Sequence, residues 1–125
     1  MLADTRAFSG FAVDDLDRAH EFYGQTLGLD VEVVDEENGL AVMHLSGDRD
    51  TFLYRKPDLR PANYTMLNFQ VDDIDQAVDG LAARGVVFER YEGFDQDEKG
   101  ISRGTPPIAW FKDPAGNILA VLEPM

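Results

Sequence analysis

A short stretch occurs twice in this chain. Phe11-Ala12-Val13-Asp14-Asp15-Leu16-Asp17-Arg18-Ala19 returns as Phe69-Gln70-Val71-Asp72-Asp73-Ile74-Asp75-Gln76-Ala77, at a constant offset of 58 residues. The Phe, the Val, three Asp and the Ala are identical, and Leu16 becomes Ile74. A self-match at a fixed period marks two copies of one supersecondary unit. The offset is close to half of the 125 residues, so the repeat spans the chain. A chain of that length buries one real core and is too short for two independent ones. Residues 1–125 therefore read as one domain, with module 1 at about 1–56 and module 2 at about 64–125.

Each copy runs from an alternating strand into a capped helix. Ala7 to Val13 reads as a strand with Phe11 and Val13 on one face and Phe8, Gly10 and Ala12 on the other. Asp15 is a good N-cap, and Leu16, Ala19, Phe22, Tyr23 and Leu27 form one helical stripe that ends at Gly28. The helix should cover the Phe11/Val13 face. Three strands follow, at Asp30 to Asp35, Leu40 to Leu45 and Thr51 to Arg55, with turn clusters between them. Lys56 to Asn63, with Pro57 and Pro61, is a stiff polar connector. In the second copy Tyr64 to Val71 is a strand, and Asp73 with Gln76 approaches a capping box. The helix carries Ile74, Ala77, Val78, Leu81 and Ala82 on one stripe and stops at Gly85. Val86 to Tyr91 is expected as a strand. Glu92 to Pro107 is a long Gly- and acid-rich loop, of the kind that closes over a site or is simply mobile. Ile108 to Lys112 and Ile118 to Leu122 make a closing hairpin around Asp113-Pro114-Ala115-Gly116-Asn117. The pattern predicts an α+β fold in which two βαβββ modules form a curved mixed sheet cup with helices on its outer face.

Charge and composition exclude several functions. Eleven basic residues are scattered among twenty-four acids, for a net charge of −13, which disfavours nucleic acid and anionic membranes alike. Acids on solvated faces and helix starts account for most of that charge. No run is long and apolar enough to cross a bilayer, and the first residues lack a signal-peptide pattern. Without cysteine there is no disulfide framework, thiolate nucleophile or sulfur metal site. A cytoplasmic location is expected.

The Val-Asp-Asp-Leu-Asp-Arg-Ala opening, followed by Phe22-Tyr23 and Leu27-Gly28-Leu29, resembles the vicinal oxygen chelate superfamily of glyoxalases, bleomycin-resistance proteins and extradiol dioxygenases. Val71-Asp72-Asp73-Ile74-Asp75 and the Asp113-Pro114-Ala115-Gly116-Asn117 turn resemble its second half. The resemblance implies paired βαβββ modules closing into a cup, commonly as a homodimer. It also implies a divalent metal held by His, Gln or Glu from four cup-facing strands. The matching positions here are Phe8, Met66, Ala120 and one of Phe52, Leu53 or Tyr54. Phenyl and methyl groups cannot bind such an ion, and a thioether is a poor ligand for it. No metal and no cofactor are expected.

The remaining candidates are few. His20 falls on the exposed side of the first helix, while the face of His44 is left open by the pattern. Ser9, Ser46 and Ser102 have no evident base, and no Gly-rich phosphate loop opens a helix. The paired carboxylates at Asp14/Asp15 and Asp72/Asp73 suit capping rather than acid–base work. What is left is the cup lining: Phe8, Phe52 or Tyr54, Met66, Asn68, Gln70, Trp110 and Ala120. A mostly apolar wall with two amides has the composition of a small-molecule pocket. The same apolar residues also suit a filled cup or a dimer interface, but filler positions do not call for amides that need partners. The expected function is metal-free binding, without turnover, of a small, partly apolar or aromatic organic molecule. The alternative is a metal-dependent lyase, isomerase or dioxygenase of the glyoxalase type with ligands outside the family pattern, such as His44 with Glu123.

Overall fold

The computed structural model describes residues 1–124. The chain is α+β and divides into two compact units, Met1–Leu59 and from Arg60 onwards, with the division inside the proline-bearing connector.

The first unit contains β1 (Ser9–Val13), α1 (Leu16–Glu21), β2 (Asp30–Asp35), β3 (Leu40–Leu45) and β4 (Arg49–Arg55). The duplicated aspartate does what its position predicts. Asp15 is extended, and its side chain accepts a hydrogen bond from the Arg18 backbone N–H at 3.1 Å. The expected single helix to Leu27 is not uniform: residues Phe22–Thr26 form a wider π turn, closed by Leu27 N–H donating to Phe22 O at 2.9 Å. Two adjacent rings accompany the widening, with Phe22 edge-on to Tyr23 at 5.2 Å and Tyr23 edge-on to Phe11 at 6.1 Å. The sheet order is β1-β4-β3-β2, parallel between β1 and β4 and antiparallel elsewhere. Phe11, Val13, Leu53, Ala41 and Met43 are buried on the sheet face that carries Leu16, Ala19 and Tyr23 of the helix. Burial of each large side chain stabilises the unit by roughly 1.5–3 kcal/mol. One polar pair shares that face, Ser9 Oγ with buried Thr51 Oγ1 at 2.9 Å.

The second unit contains β5 (Thr65–Gln70), α2 (Ile74–Ala83), β6 (Ile108–Lys112) and β7 (Ile118–Leu122), in a sheet of order β5-β7-β6. Asp73 repeats the cap of Asp15 at the same 3.1 Å, accepting from Gln76 N–H. The Glu123 carboxylate adds a second acceptor for the α2 N-terminus, at 3.0 Å from Ile74 N. Ile74 and Val78 of α2 are buried, as are Ala109, Phe111, Leu119 and Val121 of the hairpin.

The strand expected at Val86 to Tyr91 does not form. That segment carries one isolated bridge, Phe88 to Phe111, and a bond from Glu89 N–H to Trp110 O at 2.8 Å. The Gln96 side chain explains the difference. Its Oε1 accepts from Tyr91 N–H at 2.9 Å, and its Nε2 donates to Glu89 O at 2.9 Å and Gly100 O at 2.7 Å. A side chain thus takes backbone groups that a neighbouring strand would have used. The loop that follows is braced within the unit, with Ile101 fully buried and Ser102 bridged to Ile108.

Candidate ligand-binding faces

In each unit the helix covers one side of the sheet, and the candidate residues fall on the other. In the second unit the register places Asn68 opposite Ala120 and Ala120 opposite Trp110, so three of the expected site residues form one row across three strands. The next row is Gln70, Leu122 and Ile108. Met66 falls inside a register irregularity, between Thr65 opposite Ile118 and Leu67 opposite Leu119, and is not paired across to β7. Ala120 is fully buried, while Asn68 and Gln70 are exposed. Trp110 packs with Ile118 and Ala120, flanked by Tyr91 and Ile108. Tyr91 meets Trp110 edge-on at 5.6 Å, and Phe94 lies tilted against it at 4.8 Å.

The Asp113–Asn117 turn sets this register. Asp113 Oδ1 accepts from Ala115 N–H at 3.0 Å and Asn117 N–H at 2.8 Å, and Oδ2 accepts from Asn117 Nδ2 at 2.9 Å. Both side chains are buried, and Gly116 supplies the positive φ that the turn needs. Trp110 is thereby held across from Ala120.

In the first unit Gly10 pairs with Phe52 and Ala12 with Tyr54, placing both aromatic candidates on the face opposite α1. A side chain at Gly10 would stand 3.2 Å from Phe52 O, so the bare glycine permits the close strand approach. Phe8 lies just before β1, is 70% exposed, and tilts against Phe52 at a centroid distance of 4.6 Å. His44 shares the face of Phe52 and Tyr54, which answers the question the pattern left open. Its Nδ1 meets Asp50 Oδ1 at 3.0 Å and its Nε2 meets Glu32 Oε1 at 3.1 Å. Hydrogen bonding to Glu32, then to Asp50, raises the imidazole pKa above its ordinary value. His20 is exposed, as expected.

A charged cluster ties the long loop to α2. Arg103 grips Asp75 with two bonds, at 2.7 and 2.9 Å, and also reaches Asp97 at 2.8 Å. Lys99 lies 3.0 Å from Asp79 and 3.4 Å from Asp75. The hydrogen bonds from Arg103 hold the Asp75 carboxyl down at about 2. Asp75 is the repeat counterpart of the exposed Asp17, so the second copy has turned a helix-start acid into a loop tether.

The residues at the positions where the resemblance implies a metal do not fit a divalent ion. Ala120 offers a buried methyl group, Met66 a thioether, and Phe8 and Phe52 two phenyl rings tilted against each other. The other suggested donors are engaged: Glu123 caps α2, and both nitrogens of His44 face carboxylates. Among the described residues no group of three or more His, Asp or Glu is arranged to hold a metal. Tyr91, Phe94 and the two carboxylates flanking His44 were not singled out from sequence. The only available signal was the aromatic pair in an otherwise polar stretch.

Two units grown from one duplicated sequence, each with a capped helix on one side of its sheet and aromatic side chains on the other, define a protein of paired modules, βαβββ in the first unit and βαββ in the second. Residues 7–121 match the Glyoxalase/Bleomycin resistance protein/Dioxygenase superfamily, and the chain belongs to that superfamily. Comparison with curated protein sequences gives no match. Among solved structures, the chain is similar to a putative glyoxalase family protein from Bacillus anthracis (19% identity, all of both chains covered, TM-score 0.70). It is similar to TnmS3, an antibiotic binding protein from Streptomyces sp. CB03234 (23% identity, 98% of each chain covered, TM-score 0.69). It is also similar to FosX, a fosfomycin resistance protein from Listeria monocytogenes (13% identity, 98% of this chain and 94% of that one, TM-score 0.71). Among the described residues no helix is long and apolar enough to cross a membrane.

Proposed function

We propose that this protein binds a small, partly apolar or aromatic organic molecule without a metal and without turnover, as a sequestering or resistance-type member of its superfamily. The observation that carries the reading is the row Asn68–Ala120–Trp110: a buried indole and a buried methyl group beside an exposed amide. Apolar area supplies affinity there, and Asn68 and Gln70 supply orientation. The other unit has an aromatic surface of its own in Phe8, Phe52 and Tyr54, of which Tyr54 is 46% exposed. Aromatic rings left in water gain free energy by covering a ligand. The antibiotic-binding protein of the same fold supports the reading, as do the methyl, thioether and phenyl groups at the positions where the resemblance implies metal ligands. A basic ligand suits the net charge of −13. The proposal includes a homodimer, checked by light scattering.

Trp110 is the sole tryptophan, so its fluorescence reports on this face directly. Protein treated with EDTA is titrated with a library of aromatic and basic compounds, with thermal shift as a second readout. The expected result is at least one compound that quenches Trp110 and raises the melting temperature, with binding weakened in Trp110→Ala. Stoichiometric metal in protein purified without chelator, together with turnover that depends on it, overturns the proposal. So does a library that yields no stabilising compound.

A further inference from the structure

One group on the aromatic face has no structural use. The Tyr91 hydroxyl is buried and has no hydrogen-bond partner among the described residues. Buried hydroxyls are almost always paired, and phenylalanine would pack the same ring without the cost of an unpaired O–H. The ring is also placed with care. Its backbone N–H is held by Gln96, and the ring stands edge-on to Trp110. Burial, and next the charge of Glu89, raise the phenol pKa, so the group is a neutral O–H able to donate.

Phe94 shares the Trp110 ring with Tyr91. Its ring lies against Trp110 and is 53% exposed, and its backbone follows Gly93, whose φ is +89° with open space around it. A half-exposed ring at the end of the four-residue Tyr91–Phe94 turn, closed by Phe94 N–H donating to Tyr91 O at 3.3 Å, gives up little buried area when a ligand takes its place.

We infer that Tyr91 is the polar anchor of this face: its phenol donates to an uncharged acceptor, such as a carbonyl oxygen or ring nitrogen, on a planar aromatic ligand that takes the place of the Phe94 ring against Trp110. The inference rests on the small-molecule-binding reading and narrows it to a ligand class. It adds a specificity-determining residue to those expected from sequence.

Matched pairs of probes test it: 9-fluorenone against fluorene, and quinoline against naphthalene, each titrated against Trp110 fluorescence in the wild type and in Tyr91→Phe. The wild type should prefer the acceptor-bearing member by about three- to tenfold, the worth of one hydrogen bond. Tyr91→Phe should bind both members alike, with a melting temperature equal to or above that of the wild type. Binding without preference, or a preference that survives Tyr91→Phe, overturns this inference and leaves the binding function standing. A fall of several degrees in Tyr91→Phe without ligand also overturns it, because the hydroxyl would then hold the fold together. If no probe binds either protein, this inference fails, while the binding function is decided by the compound library.

Discussion

Replacing Asp113 with alanine tests how the Trp110 face is held. The carboxylate accepts three hydrogen bonds, from Ala115 N–H, Asn117 N–H and Asn117 Nδ2. The bonds to Asn117 are buried and the one to Ala115 is partly so. Asp113→Ala leaves all three donors without that acceptor, and each orphaned buried donor costs about 1–3 kcal/mol. Ala115 N–H can turn to water and contributes least, and removal of a buried carboxylate returns some desolvation energy. The net loss should be about 3–5 kcal/mol, a large part of the roughly 5–15 kcal/mol that holds a domain together. Asp113→Asn keeps one oxygen for the two backbone donors but loses the charge and sets an amide against Asn117 Nδ2, for about 1–3 kcal/mol. Urea unfolding followed by Trp110 fluorescence measures both variants. With a slope near 2 kcal/mol/M, the alanine variant should lower the midpoint by roughly 1.5–2.5 M. A loss below about 1 kcal/mol in Asp113→Ala, or an equal loss in both variants, refutes the account of the turn as a carboxylate-centred clamp.

Three further outcomes follow from the same geometry. The His44 pKa is raised in the folded protein, so the stability it adds is complete below the ordinary value of about 6.5 and fades as pH climbs through the higher folded value. His44→Gln should therefore cost more at about pH 6 than at about pH 9 in urea midpoints, and an equal cost at both contradicts the bonds to Glu32 and Asp50. Arg103→Ala should return the Asp75 carboxyl from about 2 toward the ordinary value near 3.9, by NMR titration, and an unmoved value shows that the tether is absent in solution. Tyr23 is fully buried between Phe11 and Phe22, so Tyr23→Ala should destabilise by about 3–5 kcal/mol in calorimetry, and a loss near zero would mean that the helix does not pack there.

Much of the architecture is legible in local signals. The duplicated Asp15 and Asp73 cap their helices through bonds spanning three residues, and β2, β3, β6 and β7 begin and end where alternation and turn residues place them. Such features depend on neighbours within a few positions, so the sequence states them outright. By itself the sequence determined the two-copy plan, the α+β class, and the carbon or thioether side chains, with no imidazole or carboxylate, at Phe8, Met66 and Ala120. Only the tertiary structure decided which residues share a row, that His44 lies between Glu32 and Asp50, and that Gln96 consumes the backbone groups of the segment expected to be a strand. Those contacts join atoms from different segments, and cross-strand register together with side chain-to-backbone bonding leaves no period in the chain to read.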